Sequence, residues 1–79
     1  MKVKSVKYIR DYIIDVSFED GAVKRIDLKP FLSSATNPMT TKYRNKELFK
    51  NVIVEHGYLS WGKDGEMSLS AESLYNWED

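Results

Sequence analysis

The sequence predicts a small α+β domain. An antiparallel sheet of five to six strands holds an N-terminal hairpin over residues 12–28 and C-terminal strands within 52–69, with short helices near 46–50 and 71–77. Three observations predict it. Short runs alternate apolar with polar side chains, the period of a half-buried strand. Gly, Asp and Asn separate those runs at hairpin spacing. And 79 residues leave room for one core, since mass scaling gives a folded chain of this size about 4,900 Å² of surface. Leu, Ile, Val and Phe together make 20 of the 79 residues, above the roughly one-fifth below which chains stay disordered. One domain over residues 1–79 is therefore expected, of marginal stability, with dimerisation as a natural aid.

Val3, Val6 and Tyr8 mark a first strand whose period is irregular, because Val3 and Val6 fall on opposite faces of an ideal strand. A bulge or an early strand end follows from that. Tyr12, Ile14, Val16 and Phe18 alternate with Asp15 and Ser17 in a second strand of period two. Glu19-Asp20-Gly21 then offers two turns, a two-residue type I′ turn at Asp20-Gly21 or a three-residue loop with Gly21 in the left-handed position. Facing residues favour the three-residue loop. It sets Phe18 against Ala22, Ile14 against Ile26 and Tyr12 against Leu28, whereas the shorter loop sets Val16 against Arg25 and Ile14 against Asp27.

The third strand, residues 22–28, must stop before Pro30, which lacks a backbone donor and keeps Lys29 extended. Phe31 and Leu32 form a short helical turn. Residues 33–45 are polar and the most mobile stretch expected, with Met39 and Tyr43 as anchors. Asn45 caps a short helix carrying Leu48 and Phe49, with Glu47 near its positive end. Val52, Ile53 and Val54 open a fourth strand, Gly57 allows a reversal, and residues 58–61 return as a fifth. After the turn Gly62-Lys63-Asp64-Gly65, Met67 and Leu69 alternate with Glu66 and Ser68 in a sixth. Ser70 caps a final helix from Ala71 to about Trp77, in which Leu74 and Trp77 share a face.

Several function classes are excluded or disfavoured. No apolar run nears the roughly 18 residues of a membrane span, and no secretory leader is visible, so a cytoplasmic location is expected. Without cysteine there is no disulfide, thiolate metal site or thiol nucleophile, and a lone histidine rules out a multi-histidine zinc site. No cofactor or metal is expected. Twelve Lys/Arg and twelve Asp/Glu cancel, but unevenly. Residues 1–50 carry 11 basic against 6 acidic side chains, a net of +5, and residues 51–79 carry 1 against 6, a net of −5. In one compact domain, such halves more often neutralise each other than mark separate partners.

The fragments Phe18-Glu19-Asp20-Gly21, Ile26-Asp27-Leu28, Phe49, Val52-Ile53-Val54, Gly57-Tyr58-Leu59-Ser60-Trp61 and Ser70-Ala71-Glu72-Ser73-Leu74-Tyr75 stand in this order. That order resembles the bacterial domain of unknown function 2442 family over nearly the whole chain. The pattern shared is a V-x-x-V pair, an F-x-D-G hairpin, a D-L step, an F-x-x-V-x-V strand, a G-x-L-x-W strand and a closing P-E-x-L-Y. Ala71 replaces the proline of that last segment, and the 33–45 loop is longer and more polar. The resemblance implies a small α+β domain of unassigned biochemistry, found alone or beside modules such as helix-turn-helix domains, and it transfers no catalytic residue.

Candidate chemistry is sparse. His56 is the only imidazole, and beside a glycine turn it reads as a strand-end residue rather than the base of a triad, with Glu55 pointing the other way. Gly62-Lys63-Asp64-Gly65 lacks the spacing and the following helix of a phosphate loop. Asp64 and Glu66 are in principle a magnesium pair, but on a hairpin they read as solvated. Lys42, Tyr43, Arg44, Lys46 and Lys50 form the one cluster suited to nucleic acid, several cations with an aromatic that can stack a base. An isoelectric point near 6.6 argues against a dedicated nucleic-acid module. Tyr58, Trp61, Tyr75 and Trp77 lie in the acidic third and suit a protein interface where exposed, the competing role being core packing. The expectation is a non-enzymatic interaction or regulatory module, with a protein partner or a second copy bound at a free edge strand or at the C-terminal aromatics. The alternative is a nucleic-acid-associated regulator, or an antitoxin-like partner, using the 42–50 cluster.

Overall fold

A computed structural model of the chain describes residues 1–78. Its strands are β1 (Val3–Arg10), β2 (Ile13–Phe18), β3 (Val23–Asp27), β4 (Ile53–Glu55), β5 (Tyr58–Trp61) and β6 (Met67–Leu69). Between and after them lie α1 (Lys29–Ser34), α2 (Pro38–Thr41), a 3₁₀ turn (Lys42–Arg44), α3 (Lys46–Phe49) and α4 (Ala71–Tyr75). The α+β class holds, but the strands form two antiparallel three-stranded sheets, β1-β2-β3 and β4-β5-β6, rather than one sheet of five or six. The reason lies in β1. Its register shifts twice, between Val3 and Ser5 and between Tyr8 and Arg10, and such irregularities bend and twist a strand. At its start it meets the second sheet, where Val3 N–H donates to Gly57 O at 2.8 Å.

The first of those shifts explains the irregular apolar spacing. Val3 pairs with Phe18, Val6 with Val16 and Tyr8 with Ile14, so the extra residue returns all three to the face that the buried side of β2 shares. On β2, Ile14, Val16 and Phe18 are buried while their neighbours are half-buried. The β2–β3 connection is the three-residue loop: Phe18 N–H donates to Ala22 O, Ile14 faces Ile26, and Leu28 N–H donates to Tyr12 O. The Asp20 carboxylate accepts from Ala22 N–H at 2.9 Å, and Gly21 takes a left-handed φ of +93° that a side chain would strain.

Helix starts follow the sequence signals. Pro30 sits in the first turn of α1. The side chain of Asn45 accepts from Glu47 N–H, and that of Ser70 accepts from Ser73 N–H. The 33–45 stretch is more structured than its composition suggests, holding α2 and the 3₁₀ turn, with Asn37 capping α2 through Met39 N–H. Tyr43 anchors it, 2% exposed; Met39, the other expected anchor, is 49% exposed. Helix α4 ends at Tyr75, so Trp77 lies beyond it and not on a helical face with Leu74.

The core lies between the sheets. Phe49 of α3 fills the joint, its ring edge-on to Tyr8 and Tyr12 of the first sheet's end and stacked on Trp61 of the second at 5.7 Å. Leu28, Leu32, Leu59 and Leu74 belong to the same core, all fully buried or nearly so. Among the described residues, no helix is long and apolar enough to cross a membrane.

Candidate interaction surfaces

The basic segment folds so that each of its cations is already held. The 3₁₀ turn places Lys42 and Tyr43 beside Glu66 on the loop before β6, where Lys42 Nζ donates to Glu66 Oε1 at 2.6 Å and the Tyr43 hydroxyl donates to the same oxygen at 2.9 Å. The ammonium first, and then the hydroxyl, hold the Glu66 carboxyl below the usual carboxylate range. Burial, reinforced by that carboxylate, pushes the Tyr43 phenol up to about 12. Arg44 turns the other way. Its guanidinium donates to Leu32 O at 2.8 Å, Ser33 O at 3.1 Å and Ala35 O at 3.0 Å, at the end of α1 where Leu32 O also accepts from Ala35 N–H. Lys46 Nζ pairs with Asp11 at 3.0 Å and Lys50 with Glu47 at 2.8 Å. The five residues are thus neighbours in sequence, but their polar groups point to four different partners.

An open depression of about 430 Å³ adjoins this network, lined by Lys42, Tyr43, Leu48, Asn51, Gly62, Lys63, Asp64 and Glu66. Gly62, at φ +80°, makes the network possible, because a Cβ there would run into the Tyr43 hydroxyl and the Glu66 carboxylate. Asp64 and Gly65 also take positive φ, so the loop is a tight strand connection and opens no helix. Asp64 lines the same depression as Glu66, and among the described residues no group of three or more His, Asp or Glu side chains is placed to hold a metal ion. His56 takes a left-handed φ of 49° in the two-residue β4–β5 turn with Gly57, and its ring lies 6.4 Å from that of Tyr58.

The four C-terminal aromatics do not form one surface. Trp61 is fully buried, and its indole N–H donates to Phe49 O at 2.8 Å, so it belongs to the core and not to an exposed patch. It ends the central strand of its sheet, opposite the buried Met67 of β6. Tyr75, 39% exposed, stacks edge-on to Phe18 and donates its hydroxyl to Asp20 Oδ2. Trp77, half-buried, packs on Phe31, and its carbonyl accepts from Lys24 Nζ. Tyr58 stands apart at the β4–β5 turn.

A different feature is left open, the outer edge of β3. The bonds at Phe18/Ala22 and Tyr12/Leu28 set the phase of the β2–β3 ladder. With alternation, Ala22, Lys24, Ile26 and Leu28 direct their backbone groups to β2, and Val23, Arg25 and Asp27 direct theirs outward. β3 is terminal in its sheet, and Val23 is the most exposed large apolar residue, at 66%. On the solvent face, Arg25 grips Asp15 across the ladder with bonds of 2.8 and 3.0 Å. That grip raises the guanidinium and lowers the Asp15 carboxyl relative to their ordinary values. The sequence predicts a free edge strand without naming which one.

No curated protein and no solved structure matches the chain. The model of a family described as protein of unknown function (DUF2442) matches residues 3–79, nearly the whole length, and the chain belongs to that family.

Proposed function

We propose that the chain is a non-enzymatic interaction module that binds a protein partner by strand addition at the outer edge of β3. The observation that carries the reading is the row of outward backbone donors and acceptors at Val23, Arg25 and Asp27, with Val23 exposed beside it. Main-chain bonds supply affinity in this mode, and alternate side chains supply selectivity. The depression beside Glu66 supports no reaction class: its Lys and Glu side chains neutralise each other, and the one phenol is held protonated. The alternative, a nucleic-acid-associated regulator, draws on Lys42, Arg44, Lys46 and Lys50, and it is less supported because each of these cations already has a partner.

Photo-crosslinking tests the proposal. A photoreactive side chain at Val23 gives adducts with the partner in cells, and one at Ile53, which is also half exposed but on β4, does not. Arg25→Pro removes an outward N–H and none that bonds β2, so it abolishes the Val23 adduct while leaving the fold intact. Adducts at Ile53 alone, or a Val23 adduct indifferent to Arg25→Pro, would refute strand addition at β3.

A further inference from the structure

We infer that the strand which β3 accepts is the β3 of a second copy of this chain, paired antiparallel about a two-fold axis at Ile26. The inference rests on the strand-addition reading and adds the partner and the register. Only residues whose backbone groups point outward can exchange bonds across such an edge, so odd-numbered residues of β3 must face odd-numbered residues of the second copy. Three registers place two or more such pairs within the strand. With Arg25 on the axis, two guanidiniums face each other. With Lys24 on it, two lysine stems do. With Ile26 on it, Arg25 of each copy lies directly opposite Asp27 of the other, and both such pairs exchange two backbone bonds.

Charge complementarity selects the third register. Arg25 is already flanked on β2 by Asp15, and in this register its other flank receives a second carboxylate. The solvent face of the joined sheet then reads Lys7, Asp15, Arg25 and the second copy's Asp27 along one row, with alternating sign throughout. Asp27 retains capacity for this, since only its Oδ1 is engaged, by Lys29 N–H. Lys24 does not obstruct the approach, because its ammonium is drawn to the Tyr75 and Trp77 carbonyls.

Sedimentation of the full chain across about 10 μM to about 1 mM reads self-association directly. The weight-average mass is expected to rise from 9.2 kDa towards twice that value. Arg25→Asp and Asp27→Arg each place like charges opposite one another and remain monomeric. Mixed in equal amounts they restore opposite signs at both pairs and recover the dimer. A register centred on Arg25 predicts instead that Asp27→Arg alone leaves association unchanged. Should a variant fail to fold, the wild type suffices: isotope-filtered NMR on mixed labelled and unlabelled copies shows an intermolecular Hα–Hα contact between Lys24 and Leu28. A wild type monomeric throughout, a mixture that stays monomeric, or a dimer lacking the Lys24–Leu28 contact overturns the inference. A monomeric wild type that still gives the Val23 adduct to another protein, sensitive to Arg25→Pro, removes self-pairing and leaves strand addition standing. A dimer that survives Arg25→Pro, without any Val23 adduct, removes both.

Discussion

Replacing Arg44 by Ala separates a structural cation from a ligand-binding one. The guanidinium holds three carbonyls at the end of α1, and the backbone of Arg44 in turn accepts from the Tyr12 hydroxyl of the first sheet. Hydrogen bonds to charged groups contribute about 1.5–3 kcal/mol each when shielded and less when exposed. Only the Leu32 bond is partly buried, so the three together are worth about 2 kcal/mol. A chain of 79 residues has a total stability of about 4–12 kcal/mol, which makes that loss a large fraction. The expected fall in Tm is about 8–16 °C. Thermal and urea denaturation followed by circular dichroism measures it, with Arg44→Lys recovering less than half, since an ammonium cannot span three carbonyls in one plane. Lys46→Ala and Lys50→Ala serve as controls, because their ion pairs are exposed. A Tm for Arg44→Ala within about 2 °C of the wild type, together with weakened binding to duplex DNA at low salt, would refute the structural assignment and return the basic segment to nucleic acid.

Trp61→Phe strands the Phe49 carbonyl in the core, and a loss of about 1–3 kcal/mol is expected in urea denaturation. Gly62→Ala forces a side chain into left-handed backbone and against Tyr43 and Glu66, so at least about 1–2 kcal/mol is lost and the phenol titrates earlier by ultraviolet absorbance. Stability also depends on pH at both ends. The Glu66 carboxyl is depressed in the fold, so its contribution is present above the ordinary value of 4.5 and is lost as pH falls below it; Lys42→Met should flatten that acid limb. The Tyr43 phenol is raised from 10.0 to about 12, so its contribution is complete below pH 10 and disappears as pH rises through that interval, and Tyr43→Phe should abolish this dependence.

Local signals in the sequence carried most of the elements, and non-local ones escaped it. The Phe18–Ala22 and Ile14–Ile26 facings were legible because a one-residue slip would have put Arg25 and Asp27 on the buried face. Asn45 and Ser70 were legible because a cap needs only its own next three residues. The division into two sheets was not, since it depends on where β1 bends, and period-two patterning says nothing about which edges meet. The clamp of Arg44 on α1 was equally hidden: a Lys/Arg-rich run reads as one surface until the backbone turns its side chains apart. Trp61 stands with the candidate interface aromatics in the sequence because composition cannot tell a central strand, which β5 is, from an edge strand.

The charged neighbours of Val23 on β3 bear on why such an edge can exist at all. An open strand with an exposed apolar residue invites indiscriminate pairing, and lysines or arginines on the edge are a common means of preventing it. Lys24 and Arg25 fit that role, yet neither is a free repulsive charge. Lys24 is drawn back to the C-terminal carbonyls, and Arg25 is gripped by Asp15 with Asp27 two residues on. An edge carrying both signs two residues apart rejects a strand of either single sign and accepts one that carries the opposite order. Reversed by antiparallel pairing, the same sequence carries that order. Selectivity of this kind follows from position more than from composition, so exchanging Arg25 and Asp27 within one chain should preserve self-pairing while abolishing pairing with the wild type.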